Sequence, residues 1–395
     1  MRGASLRGLW TLDPAITFLN HGSFGACPAP VQQAQSDVRA RLEREPVRFF
    51  VREYEPLLDA ARAAVADLVG ADEADLAFVT NATAGANTVL RSLAPDLAPG
   101  DELLTTDHAY NACRNALEYV AARAGARVVV ARIPFPIAAA ADVVSAVLAC
   151  VTPRTRLALI DHITSPTALI FPIDCLVAEL EARGVDTLVD AAHAPGMVPM
   201  DLRATGAAYT TGNLHKWLCA PKGAAFLHVR RDRKDGVRPL SISHGANAVR
   251  TDRSRFRLEF DWTGTEDPSA WLAVPAAIRF LEGLLPGGLA ALMADNHRAA
   301  LAARQAICAA VGGEEACPDA MVGSMASVLL PGPGTPLTGA VPIDPLQEAL
   351  FTRFGIEIPV FHWPQLGQSI LRVSTPIYID TAEVDALVAA LAALV

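Results

Sequence analysis

Three short stretches of this sequence carry residue types that can do chemistry together. The first, Asn81-Ala82-Thr83-Ala84-Gly85-Ala86-Asn87, follows the β-branched run Leu76 to Thr80. Its small residues leave the backbone N–H groups of a coming helix bare. With the Thr83 hydroxyl they make an anion cradle at a positive helix end, although a plain N-cap by Thr83 explains the same residues. The second is Asp190, which ends the run Thr187 to Asp190 and is followed by Ala191-Ala192-His193-Ala194-Pro195-Gly196. A carboxylate at the end of a buried strand is costly unless it meets a cation or strong donors. His193, three residues on in a turn, reads by itself as a hydrogen-bonded structural histidine. The third is Lys216, set among Asn213, Leu214, His215, Trp217, Leu218 and Cys219. An ammonium in apolar surroundings loses part of its preference for charge, and its amine becomes a nucleophile suited to imine chemistry. A lysine with a packed stem and a solvated tip is the everyday alternative.

Taken in chain order, an anion cradle, a strand-ending Asp190 and a Lys216 placed 26 residues later fit one ligand, pyridoxal 5′-phosphate. The cradle holds the phosphate and Lys216 the aldehyde. Asp190 keeps the pyridine nitrogen protonated, which preserves the ring as an electron sink for a carbanion at a substrate Cα. Lys216 also carries the proton once substrate displaces it. Neither G-x-G-x-x-G nor G-x-x-x-x-G-K-[ST] is present, which disfavours a dinucleotide or a nucleoside triphosphate.

The elements that must position these residues alternate. Leu76 to Thr80, Glu102 to Thr105, Arg127 to Ala131, Leu157 to Asp161, Thr187 to Asp190 and Ala224 to Val229 read as strands. Ala84 to Leu93, Asn111 to Ala124 and Ile173 to Arg183 read as helices between them. This is the pattern of an α/β domain with a mostly parallel sheet covered on both faces, whose ligands lie at the carboxyl ends of the strands. After Trp271 long helices follow (Ala270 to Leu284, Leu289 to Val311), then a Gly/Pro-rich loop, Pro331 to Pro342. Short strands at Ser327 to Leu330, Ile356 to Val360 and Ile370 to Ser374 and a last helix, Ala382 to Leu394, predict a smaller α+β domain.

Composition narrows the partners. In 395 residues, 33 basic side chains face 42 acidic ones for a net charge of −9, which argues against nucleic acid. The basic run Arg250 to Arg257 reads as a solvated loop. Seven scattered cysteines contain no C-x-x-C pair, so no metal site or redox dithiol is expected. The most apolar stretch, Ile137 to Val151, carries Asp142 and is too short for a bilayer. With no secretory signal pattern at the N-terminus, these features predict a cytoplasmic protein without a membrane partner.

The segments LNHGSFG (Leu19 to Gly25), PVRFF (Pro46 to Phe50), TNATAGAN, TTDHAYNA (Thr105 to Ala112), DHITSPTALIFPI (Asp161 to Ile173), VDAAHAPG, GNLHKWLCAPKG, WTGTEDPSAW (Trp262 to Trp271) and LRVSTPIY (Leu371 to Tyr378) occur in order along nearly the whole chain. By them the chain resembles the class V aminotransferase group of fold-type I pyridoxal-phosphate enzymes, and within it the isopenicillin N epimerase-like branch, related to the cysteine desulfurases. The resemblance implies a large domain with a mostly parallel seven-stranded sheet flanked by helices, residues 21–270. It further implies a smaller C-terminal α+β domain, residues 271–395, and an N-terminal arm, residues 1–20, packed on it. Carried over residue by residue, it implies Lys216 as the Schiff-base lysine and Asp190 as the partner of the ring nitrogen. It places His108 on the ring face, His193 near the ring hydroxyl oxygen, and Ala82, Thr83, Asn213 and His215 on the phosphate side. Thr265 resembles a residue that reaches the phosphate of a neighbouring subunit, which implies a homodimer with shared sites. Arg372 matches the position that grips a substrate carboxylate, and Asn20, Ser23 and Tyr110 line the substrate side. Cysteine desulfurases of this group carry a nucleophilic Cys shortly before that arginine; here Pro359 to Gln368 contains none, which excludes persulfide relay by that route.

The implied reaction begins at the α-carbon of an amino acid or a derivative of one. Epimerisation needs proton-carrying groups on both faces of the carbanion, with Lys216 on one and Tyr110, His108 or water on the other. A β-lyase of the C–S type needs only Lys216 and a leaving group, and a transaminase needs Lys216 and a pocket admitting two substrates in turn. The segment matches put an isopenicillin N epimerase-like epimerase first, with a C–S lyase resembling hercynylcysteine sulfoxide lyase or an aminotransferase as alternatives. A non-catalytic relative of the fold has little reason to keep Lys216, Asp190 and Arg372 together.

Overall fold

The computed structural model describes residues 2–332, 343–363 and 368–394. Seven strands form the main sheet: β1 (Leu76–Val79), β2 (Glu102–Thr106), β3 (Arg127–Ala131), β4 (Thr155–Asp161), β5 (Asp186–Asp190), β6 (Tyr209–Asn213) and β7 (Ala225–Val229). Their order is β1-β7-β6-β5-β4-β2-β3, and only β7 runs antiparallel to its neighbours. Alternate residues of the central strands β2, β4 and β5 feed two apolar layers, as the two-residue side-chain period requires. Leu103, Leu157, Leu159 and Leu188 pack with helices α1 (Ala82–Leu93) and α2 (Asn111–Ala124). Leu104, Ala158, Ile160 and Val189 pack on the other face with α3 (Ile173–Glu181).

The mostly parallel seven-stranded sheet is as expected, but the run-by-run reading missed β6. Its sequence, Tyr-Thr-Thr-Gly-Asn, has no aliphatic residue, yet every position is buried. The hydroxyls find internal acceptors instead, as when Thr211 Oγ1 donates to the Phe226 carbonyl at 2.9 Å.

In the C-terminal part, β8 (Glu314–Glu315), β9 (Met325–Leu329), β10 (Val360–His362) and β11 (Ser369–Ser374) form an antiparallel sheet in the order β10-β11-β9-β8. Helix α5 (Gly288–Val311), which follows α4 (Val274–Glu282), packs on this sheet, and α6 (Thr381–Ala392) packs against α5. The single strand expected over Ile356 to Val360 is broken at Pro359, which has no N–H for a ladder. Ile356–Glu357 instead pairs in parallel with Thr17–Phe18. Likewise the helix expected over Ala270 to Leu284 is two pieces, Ser269–Leu272 and α4, with Pro275 in the first turn of the second. Residues 333–342 of the expected Gly/Pro-rich loop, and 364–367 of the stretch before Arg372, lie outside the described residues. The N-terminal segment is tied to the C-terminal part by Arg2 to Asp295 at 2.6 Å, Arg7 to Glu383 at 2.7 Å and Gly3 N–H to the Ile377 carbonyl at 2.9 Å.

The run Arg250 to Arg257 is not simply a solvated loop. Ser254 caps a helix, Arg255–Phe260, and Arg250, Arg253 and Arg257 pair with Glu55, Asp59 and Asp261. Its charge is therefore spent inside the molecule.

Candidate active site

A cavity of about 390 Å³ lies at the carboxyl ends of β1, β4, β5 and β6. Asn81 to Thr83 follow β1, Asp161 ends β4, Asp190 ends β5 with Ala192 and His193 behind it, and Asn213 ends β6. Ser23 and Phe24 close it from the N-terminal segment, Tyr110 from the start of α2, and Lys216 reaches it from the β6–β7 connection.

Lys216 is only 8% exposed, and its Nζ lies 3.2 Å from His193 Nε2. Burial, then the nearby Arg372 charge, bring its pKa down to about 8 against the opposing pull of Asp190 and Asp161. Burial first, and Lys216 next, hold the His193 imidazole well below its ordinary value. His193 is accordingly neutral, Nε2 accepts from the lysine ammonium, and the ring proton sits on Nδ1, a buried nitrogen with no partner among the described residues.

The lysine loop is clamped from behind. Burial keeps His21 neutral, with a pKa near 3, so its Nε2–H donates to the Lys216 carbonyl at 3.0 Å while Nδ1 accepts from the Tyr378 hydroxyl at 2.7 Å. Two left-handed glycines let neighbouring chain approach the loop closely. A Cβ on Gly25 would sit 2.8 Å from Lys216 Cα, and one on Gly196 would sit 2.6 Å from the Trp217 carbonyl carbon. Gly25→Ala is therefore expected to cost about 1–3 kcal/mol through backbone strain and displacement of the loop. Urea unfolding of the variant checks this; an unchanged midpoint would mean that the loop yields freely.

Asp190 has a donor for each oxygen. Its Oδ2 accepts from the Cys113 thiol at 3.1 Å and its Oδ1 from the Ala192 N–H at 3.0 Å, while burial pushes its pKa up. On the cradle side the cap of α1 is Asn81, which accepts from Ala84 N–H at 2.8 Å, and not Thr83. The Ala82 N–H is not bare either, since it donates to Asn213 Oδ1 at 2.8 Å. The first turn is thus anchored to β6, and Thr83 and His215 line the cavity beside it. His215 Nδ1 lies 3.2 Å from the Ala224 carbonyl.

Arg372, on β11, is 1% exposed. Its Nη1 donates to the Ser165 carbonyl at 2.5 Å and its Nη2 to Ser23 Oγ at 2.9 Å, with Asn20 Oδ1 at 3.5 Å. Among the described residues no carboxylate pairs with this buried guanidinium, and its Nε has no partner. Asn20 and Ser23 thus join Arg372 as expected, and Tyr110 lines the cavity.

His108 does not line the cavity. It is fully buried, its Nδ1 is 2.7 Å from Thr167 Oγ1, and its ring packs against Trp363 with centroids 4.1 Å apart. Thr265 is exposed and also lies outside the cavity of its own chain. Sequence reasoning passed over Asp161, which lines the cavity and ends a strand exactly as visibly as Asp190 does. Cys113, His21 and Ser165 gave no such signal, because only the fold brings them to their partners.

The residues present fit pyridoxal 5′-phosphate: a buried amine of lowered pKa, a buried carboxyl with a donor for each oxygen, a His193 Nδ1 without a partner among the described residues and an anchored helix start with the Thr83 hydroxyl. On this sheet they define a pyridoxal-phosphate enzyme of the α/β class. The chain belongs to the class V aminotransferase family, whose profile, described as Aminotransferase class-V, matches residues 32–320. It is 38% identical to the isopenicillin N epimerase of Amycolatopsis lactamdurans, over 98% of this chain and 97% of that one. An L-cysteine desulfhydrase of Arabidopsis thaliana is 30% identical over 88% of this chain and 78% of its own length. The fold matches that of a cysteine desulfurase from Escherichia coli with a TM-score of 0.80 at 21% identity, covering 98% of this chain and 97% of that one. Among the described residues no helix is long and apolar enough to cross a membrane.

Proposed function

We propose that this enzyme inverts configuration at the α-carbon of an amino acid or amino-acid-derived substrate, as an isopenicillin N epimerase-like epimerase. The end-to-end similarity to an isopenicillin N epimerase carries the reading. Bound pyridoxal phosphate supplies the electron sink that acidifies the Cα–H bond. Lys216, whose pKa burial brings down to about 8, would hold the coenzyme through its amine and would carry the substrate Cα proton on one face. Tyr110 serves the other face, since it lines the cavity and burial raises its pKa further above neutral pH, whereas His108 is engaged with Thr167. Asp190 would hold the coenzyme at its ring nitrogen, His193 at its ring hydroxyl oxygen, and Ala82, Thr83, Asn213 and His215 at its phosphate. Arg372, with Ser23 and Asn20, grips the substrate carboxylate. The exposed Thr265 would hold the coenzyme phosphate of a partner subunit in a homodimer with shared sites. Residues 1–20 form an arm on a small domain of residues 271–395, and residues 21–270 form the coenzyme domain. Seven cysteines free of disulfides suit a cytoplasmic location.

A C–S lyase is the second reading, favoured by the desulfhydrase relative. Turnover of candidate amino acids in deuterated water separates the two. Epimerisation gives α-deuteration with inversion, and Tyr110→Phe is expected to lower inversion by about 10²–10⁴-fold while exchange with retention persists. Release of pyruvate and ammonia by the unaltered enzyme would replace this reading with the lyase, and conversion of the coenzyme to its pyridoxamine form would replace it with a transaminase.

A further inference from the structure

Strands β4 and β5 end side by side on two carboxylates, Asp161 lying opposite Asp190 in the parallel register. Both point to the α1–α2 face, as their alternation with Leu157, Leu159 and Leu188 requires. They are 2% and 3% exposed. Two buried carboxyl groups so close do not both ionise cheaply, so the pair holds a proton. Their surroundings decide where it sits. Each oxygen of Asp190 accepts a hydrogen bond, from Cys113 and from Ala192. Asp161 has the Tyr110 backbone N–H turned toward it and the Lys216 charge nearby, but its Oδ1 is buried without a partner among the described residues. An anionic oxygen left that way is costly, whereas a proton on it makes a donor that needs only an acceptor from the cavity.

We propose that Asp161 is a neutral carboxyl that donates a hydrogen bond to an acceptor atom of the bound coenzyme, leaving Asp190 alone to carry the negative charge. Asp161 is then a positioning residue, and the sheet presents the coenzyme with one acidic donor and one anion on neighbouring strands. Burial, and next the Asp190 charge, push the Asp161 carboxyl in the same direction, well above the carboxylate range. The inference rests on pyridoxal phosphate occupying this cavity.

The test titrates pyridoxal 5′-phosphate into apoenzyme, following tryptophan fluorescence and the visible absorbance band, for wild type, Asp161→Asn and Asp161→Leu. Asparagine keeps the shape, neutrality and a donor, and is expected to bind within about threefold of wild type, with the band's pH profile unchanged. Leucine keeps the shape without a donor and is expected to bind on the order of tenfold or more weakly. Asp161→Ala makes the same comparison should the leucine variant fail to fold, as judged by its thermal melt. If Asp161→Asn binds as weakly as the donorless variant, the group acts as an anion and the proposal fails. If the donorless variant binds like wild type, no hydrogen bond exists and it fails equally. Absence of any band or quenching in the wild type would instead refute the coenzyme reading itself.

Discussion

Lys216→Ala is expected to lower kcat by about 10⁴-fold or more and to replace the visible absorbance band of the lysine-linked coenzyme with that of the free aldehyde. On the proposed assignment the alanine removes both the amine that would hold the aldehyde and the group that would move the Cα proton, so the two losses come together. A small primary amine added in solution should restore part of the turnover, because binding and the carboxylate grip are left intact. The pH dependence of coenzyme capture by wild-type apoenzyme makes the same point. Burial brings Lys216 from 10.5 down to about 8, and only the free amine attacks. Below that value each pH unit of acid cuts the free amine about tenfold; above it the rate levels off. A solvated lysine would go on gaining rate to near its ordinary value. A capture rate still climbing at pH 10, or a Lys216→Ala protein with the wild-type band and turnover, would overturn the assignment.

The order of strands and helices was legible because full burial on two faces forces near-continuous apolar runs and amphipathic helices between them. β6 was not, since its polar residues are satisfied by fold-level partners that no local pattern announces. The same division runs through the site. Lys216 and Asp190 stand out because a charge in an apolar run is anomalous wherever it occurs. Arg372, by contrast, came from the family's motif, and its contacts to Ser23, Asn20 and Ser165 join segments about 350 and 207 residues apart in sequence. Asp161 shows the opposite failure: the signal was present, but its meaning appears only when register places it beside Asp190. Backbone amides of the α1 cradle were expected bare on composition alone, yet Asn213 takes one and Asn81 another. Short side chains permit an anion site; the neighbouring strand decides how much of it remains.

Arg372→Ala is expected to reduce kcat/KM for a carboxylate-bearing substrate by about 10²–10³-fold, the loss of paired charge-assisted hydrogen bonds. The guanidinium is preset by Ser165 and Ser23 and backed by the Phe361 ring 5.0 Å away. Its planar fork therefore offers itself in a fixed orientation with little ordering left to do. Burial lowers its pKa only to about 10, so it is charged at neutral pH and has no counter-ion among the described residues. On the proposed role of Arg372, a substrate carboxylate would supply that counter-ion, and the relief would favour α-carboxylates over the corresponding amines. Arg372→Lys should recover little, because one ammonium cannot reach both Ser partners and a carboxylate in the same plane. The decisive comparison uses an amine analogue lacking the carboxylate. Wild type and Arg372→Ala should process it at similar, low efficiency, the substitution having removed only what the analogue never uses. If Arg372→Ala slows the analogue as much as the amino acid, the arginine is holding the fold of the pocket and not the substrate, and the carboxylate site must be sought elsewhere in the cavity.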